Sequence, residues 1–206
     1  MLLRINSENP DPRHINQVAE CLRDGGVIIY PTDTVYGIGC DIFKQRAVEK
    51  ICKLKNIDPL KANFSFVCHD LAHLSDYAKQ VSTPVFKVMR KALPGPFTFI
   101  LEASHQVPRL MKSNKKTVGI RIPDNKICLA IVRELGNPIM STSVHNDDEI
   151  LEYSADPEEI YENFKEKVDM VVSGGYGNMQ ASTVVDCTND SFEIIRQGLG
   201  DLDAFL

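Results

Sequence analysis

Short β-branched runs alternate with amphipathic helical stretches along this chain, and no Pro/Gly/Ser-rich linker, internal repeat or low-complexity segment interrupts them. Such alternation folds as strands and helices layered around one sheet. The periodicity predicts helices over His14–Asp24, Arg46–Leu54 and Thr83–Ala92, the last stopped at Pro94-Gly95. Asp70 reads as one helix cap and Asp124 as another, for a helix ending at Gly136, and Asp156-Pro157-Glu158-Glu159 reads as a further helix start. Strands are expected at Val27–Tyr30, Asn63–Cys68, Phe97–Glu102, Thr117–Ile122 and Pro138–Thr142. Val168–Val172, Thr183–Asp186 and Phe192–Arg196 read as three late strands that pair as neighbours. The expectation is one α/β domain over residues 1–206, a twisted, open, mixed sheet flanked by helices.

The six cysteines form no CxxC pair and show no zinc spacing, so they read as small hydrophobes of a reducing, cytoplasmic protein. No apolar run approaches the ~18 residues of a membrane span, and the N-terminus lacks a signal-peptide core. Secreted, membrane-spanning and disulfide-scaffold classes are therefore excluded. Charge is uneven. Residues 1–123 hold 18 Lys/Arg against 11 Asp/Glu, and residues 124–206 hold 5 against 17. A pI near 5.5 disfavours a dedicated nucleic-acid protein, whereas a local anion-binding cleft fits the basic part.

Chemistry concentrates where apolar strands end. Val27–Tyr30 runs into Pro31-Thr32-Asp33-Thr34-Val35-Tyr36-Gly37-Ile38-Gly39, two hydroxyls, a carboxylate, a phenol and two glycines. Ligands of open α/β sheets bind beyond the carboxyl ends of strands, although a plain hairpin turn would also use Asp33 and Thr34 locally. Ser141-Thr142-Ser143 offers clustered hydroxyls for a phosphate, or an ordinary capping turn. Arg121 sits in the apolar Val118–Pro123 and must lie exposed, bind an anion or meet an internal carboxylate, since a buried unpaired charge is very costly. Lys50, Lys53 and Lys55 make a basic helix end. No HExxH, GxSxG, Walker A or dinucleotide fingerprint occurs, and no metal site is expected.

Six segments in this order resemble the YrdC-like family, which includes the threonylcarbamoyl-adenylate synthases: P-T-D-T-V-Y-G-I-G (31–39), P-G-P-F-T-F-I-L (94–101), V-G-I-R-I-P (118–123), S-T-S (141–143), S-T-V-V-D (182–186) and I-R-Q-G (195–198). The resemblance implies a concave basic cavity and no further C-terminal domain. It implies condensation of L-threonine, bicarbonate and ATP, the last with Mg2+, into threonylcarbamoyl-AMP for tRNA modification, with no tightly bound cofactor. Carried over by residue, Lys55, Arg121 and Thr34 are the catalytic candidates. Lys55, Ser141, Ser143, Ser182 and Arg196 would bind the nucleotide. Thr32, Thr34, Tyr36, Arg121 and Thr183 would bind threonine and its carbamate. RNA or tRNA and tRNA-modification proteins are the implied partners.

Two departures stand out. The family's K-x-R element reads Lys55-Asn56-Ile57 here, and its S-T-S-A-N reads Ser141-Thr142-Ser143-Val144-His145. Lys55-Asn56-Ile57 and Asn63-Phe64-Ser65 are closer to the YciO branch. Two readings follow: a synthase of reduced activity, or a nucleotide- or double-stranded-RNA-binding module that keeps the cavity without substantial synthesis.

Overall fold

Local signals set most of the elements. In the computed structural model, which describes residues 1–58, 64–72, 74–108, 116–144 and 155–206, α1 (Pro12–Arg23) starts at Asp11, whose carboxylate accepts the Arg13 N–H. It buries Ile15, Val18, Ala19 and Leu22 and stops before Gly25, whose φ of +87° suits glycine. β1 (Leu2–Arg4) precedes it; β2 (Ile28–Tyr30) and β3 (Gly37–Asp41) follow. Next come α2 (Gln45–Lys55), β4 (Ser65–Val67), α3 (Leu74–Tyr77), α4 (Thr83–Ala92), β5 (Phe97–Glu102) and β6 (Thr117–Arg121). The second half holds α5 (Lys126–Leu135), β7 (Ile139–Ser143), α6 (Pro157–Phe164), β8 (Met170–Ser173), β9 (Thr183–Asp186) and β10 (Glu193–Arg196).

Among the described residues the strands form one twisted mixed sheet in the order β1-β8-β2-β3-β7-β4-β6-β5-β9-β10. Three expectations need correction. Asn125, not Asp124, caps α5, its side chain accepting the Cys128 N–H at 3.0 Å. The late strands do not all pair: β8 lies between β1 and β2, parallel to both, while β9 and β10 form an antiparallel pair at the far edge beside β5. Residues 37–41 are a strand rather than a ligand loop, pairing with β2 and β7 on either side. Among the described residues no helix is long and apolar enough to cross a membrane.

Residues opposite each other in a ladder share a face, and alternate residues along a strand switch faces. One face carries Ile29, Ile38, Cys40, Phe66, Met140, Ile120, Phe99 and Val185, all in the main core with Val48 and Ile51 of α2 and Val85 and Met89 of α4. The other face is divided. Its β2, β7 and β8 portion, with Ile28, Tyr30, Ile139, Met170 and Val172, packs beneath α1 and α5. Across β7, β4, β6 and β5 the same face turns to Ser141, Ser65 and Gly119, with Ile100 opposite Gly119 and Thr98 two residues along β5 on the same side. This face thus joins an apolar half to a half in which small and polar residues predominate.

Candidate functional site

Arg121 ends β6 and reaches the turn that joins β2 to β3. Its Nη2 donates to Thr34 Oγ1 at 2.6 Å, to Asp33 Oδ1 at 2.6 Å and to Thr32 Oγ1 at 3.2 Å. The turn is braced from within, because Thr32 Oγ1 accepts the Thr34 N–H and donates to the Val35 carbonyl. Of the three alternatives open to Arg121, the internal carboxylate is thus realised. The ion pair is buried, with side chains 11% and 10% exposed, and Arg121 Nε and Asp33 Oδ2 have no hydrogen-bond partner among the described residues. Removing one member of such a pair costs about 3–5 kcal/mol.

A polar row continues across the sheet. The Tyr30 hydroxyl donates to Ser141 Oγ at 2.7 Å, and Ser65 Oγ donates to the Ser141 carbonyl at 3.3 Å. Gly119 keeps the row level: a Cβ there would lie 3.2 Å from Thr98 Cγ2 and 3.4 Å from Ser65 Cβ. Thr98 and Ser182 share a hydroxyl hydrogen bond at 3.0 Å, and the Arg196 guanidinium donates to the Ser182 carbonyl. Gly37 lies equally close to the row, since a Cβ there would sit 3.1 Å from Ser141 Oγ and 3.2 Å from Tyr30 Cζ, and the Tyr30–Ser141 pair would have to shift slightly to admit it.

Lys55 stands at the end of α2, buried, and donates from Nζ to the Ser143 carbonyl at 2.6 Å. The residues that follow close that helix. Asn56 adopts φ +52° with its N–H on the Lys53 carbonyl, and the Ile57 N–H bonds to the Cys52 carbonyl while its side chain packs on the main core. This is a left-handed helix stop with its accompanying apolar contact. The position where the family carries arginine therefore serves the core.

Thr32, Thr34 and Arg121 come together, as do Ser182 and Arg196, while Ser141 and Ser143 occupy alternate positions of β7, two strands from Arg121 on the side away from β9. Two expected residues are held elsewhere. The Tyr36 hydroxyl donates to the Gly175 carbonyl at 2.6 Å and accepts the Gly174 N–H, its ring lies in the main core, and burial pushes its pKa up to about 12. Thr183 Oγ1 donates to the Gly200 carbonyl and accepts the Gly198 N–H. Its side chain shares the Phe97 face, opposite the polar row. Asn63 and His145 lie outside the described residues.

Sequence reasoning passed over Tyr30, Ser65 and Thr98. The signal was present: Ser65 between Phe64 and Phe66, and Thr98 between Phe97 and Phe99, are polar residues alternating with buried aromatics at a strand's period of two. Two surface clefts of about 200 and 440 Å³ lie away from the row, one near Ser82 and Cys187, the other near Arg4 and His14.

Comparison with known proteins bears on this arrangement. YciO of Escherichia coli K12, a protein of uncharacterised function, is 41% identical over 204 residues, 98% of this chain and 97% of its own. Its crystal structure superposes with a TM-score of 0.92 over 100% of this chain and 99% of that one, at 39% identity. Sua5 of P. abyssi, crystallised with L-threonine, matches with a TM-score of 0.84 and 25% identity over 96% of this chain and 57% of its own. The Sua5/YciO/YrdC family model, described as "Telomere recombination", matches residues 20–198, and the chain belongs to that family.

Proposed function

We propose that the polar row binds an adenine nucleotide and that the Arg121 cluster beside it takes L-threonine, and that the protein condenses threonine, bicarbonate and ATP to threonylcarbamoyl-AMP and pyrophosphate. The observation that carries this reading is the meeting of Arg121 with Thr32 and Thr34 on a fold shared with a threonine-bound Sua5. Arg121 and the two threonines would receive the carboxylate or carbamate. Lys55, Ser141, Ser143, Ser182 and Arg196 would hold the nucleotide along the row, with Mg2+ accompanying ATP as its counter-ion. Tyr36 and Thr183 act as braces of the site's walls, since their hydroxyls are engaged with backbone.

The chemistry balances simply. Threonine's amine and bicarbonate give the carbamate and water. A carbamate oxygen then bonds to the α-phosphorus as the bond to pyrophosphate breaks. Charge developing on pyrophosphate is what lysine and arginine can offset, and such cationic clamps contribute several kcal/mol in phosphoryl transfer. With Ile57 packed against the core instead of an arginine beside Lys55, we place turnover at least about tenfold below that of a housekeeping synthase. The same observation favours a second reading, a cytoplasmic nucleotide- or RNA-binding module without substantial synthesis. Pyrophosphate release with and without threonine and bicarbonate separates them. Threonine-dependent release supports the synthase, threonine-independent release points to another acceptor, and tight ATP binding without release supports the binding module.

A further inference from the structure

The turn that presents Thr32 and Thr34 to Arg121 also supplies the anion that cancels its charge. Asp33 Oδ1 stands 2.6 Å from Arg121 Nη2. Every hydrogen bond of the guanidinium among the described residues runs through that one nitrogen. Half of the arginine fork, Nε, and half of the carboxylate, Oδ2, are buried without a partner among the described residues. A full side-on pair would use both halves, as bidentate arginine–carboxylate pairs do. Here an unfilled donor and an unfilled acceptor belong to one neutral pair.

We propose that Asp33 is a specificity-determining residue, which makes the Arg121 end of the site select a carbamate or amino-acid group and exclude polyphosphate. The inference rests on the functional reading above and decides which end of the site takes which anion. Coulomb attraction grows with ligand charge, so cancelling the arginine's charge penalises pyrophosphate far more than a carboxylate. Hydrogen bonding adds to this. A carbamate carries an N–H beside an oxygen and satisfies both Asp33 Oδ2 and Arg121 Nε. An ionised phosphate offers acceptors alone, and Oδ2 repels them. Discrimination thus comes from a repulsive element as well as an attractive one.

The test is calorimetric titration of the full chain with inorganic pyrophosphate and, separately, with L-threonine. Wild type is compared with Asp33→Asn and with the double variant Asp33→Asn/Arg121→Gln. The single variant exposes the arginine's charge, so pyrophosphate should bind about tenfold tighter or better and threonine about tenfold weaker. The double variant removes the buried pair altogether, which is the change least apt to disturb folding. It should bind pyrophosphate within about threefold of wild type. Unchanged or weaker pyrophosphate binding by Asp33→Asn overturns the proposal. So does a tenfold loss in the double variant, which would mean that Arg121 itself holds phosphate, and so does absence of pyrophosphate binding in all three proteins. Pyrophosphate affinities alone decide this inference, whereas failure of wild type to bind ATP or threonine overturns the synthase reading.

Discussion

Arg121 and Thr34, 87 residues apart in sequence, meet at 2.6 Å inside the protein. The contact ties the end of β6 to the turn after β2 and fixes the guanidinium at the edge of the polar row. Thr34 is fully buried, so its hydroxyl exists for this neighbourhood and not for water. Thr34→Val keeps the shape and removes the acceptor. It should cost about 1.5–3 kcal/mol, read as a lower urea midpoint with unchanged slope, while Thr34→Ser should cost less.

Tyr30 and Ser141 form a second long-range pair, hydroxyl to hydroxyl at 2.7 Å. Burial holds the phenol well above the usual tyrosine range, so it stays a neutral donor. Ser141→Ala orphans that donor and should cost about 1–3 kcal/mol. Tyr30→Phe in the same protein should recover part of the loss, and a double-mutant cycle from urea unfolding gives the coupling. Strict additivity would show that the two hydroxyls do not depend on each other.

The helix stop at Asn56-Ile57 bears on attempts to restore the family's arginine. Ile57→Arg places a charge where the side chain packs on the main core. We expect a loss of about 1–3 kcal/mol of stability. Pyrophosphate release should not rise in the single variant, because the side chain at position 57 packs against the main core. A stable, faster Ile57→Arg enzyme would show that the helix end swings toward the nucleotide.

Asp169 predicts a pH dependence. Burial alone would raise its carboxyl. The Val27 N–H at 2.8 Å and the Lys50 ammonium at 2.9 Å outweigh that, and its pKa falls below the ordinary value. A carboxylate with a lowered folded pKa stabilises the fold fully above its unfolded value, about 3.9, and loses that contribution as pH falls through the folded value. Both members of the ion pair are 45% exposed, so solvent screens the effect. Asp169→Asn should lower the melting temperature at pH 6–7, with the difference from wild type shrinking as pH drops below about 4. A difference constant down to pH 2 would assign the effect to hydrogen bonding alone.

Elements punctuated by their own residues were legible in advance. Thr83–Ala92, Phe97–Glu102 and Thr183–Asp186 have the ends that periodicity and turn residues imply. β3 was not, because Gly37 and Gly39 disfavour a strand by propensity and are held in one by β2 and β7 on both sides. The late strands failed as neighbours because β8 finds its partners in β1 and β2, at the other end of the chain. Within the site, Thr34, Arg121, Ser141 and Ser182 could be named from motif order. Tyr36 and Thr183 could be named too, but not the backbone carbonyls of Gly175 and Gly200 that engage them.

The sequence by itself determined the α/β alternation, most helix starts and stops, and the hydroxyl-rich strand ends, because these depend on residues within a few positions of one another. Only the tertiary structure decided that Asp33 neutralises Arg121, that Ile57 packs against the core, and that Ser65, Gly119 and Thr98 join Ser141 and Ser182 in one row. Each of those outcomes turns on strand order and register, and register assigns side chains to faces through partners far away in the chain.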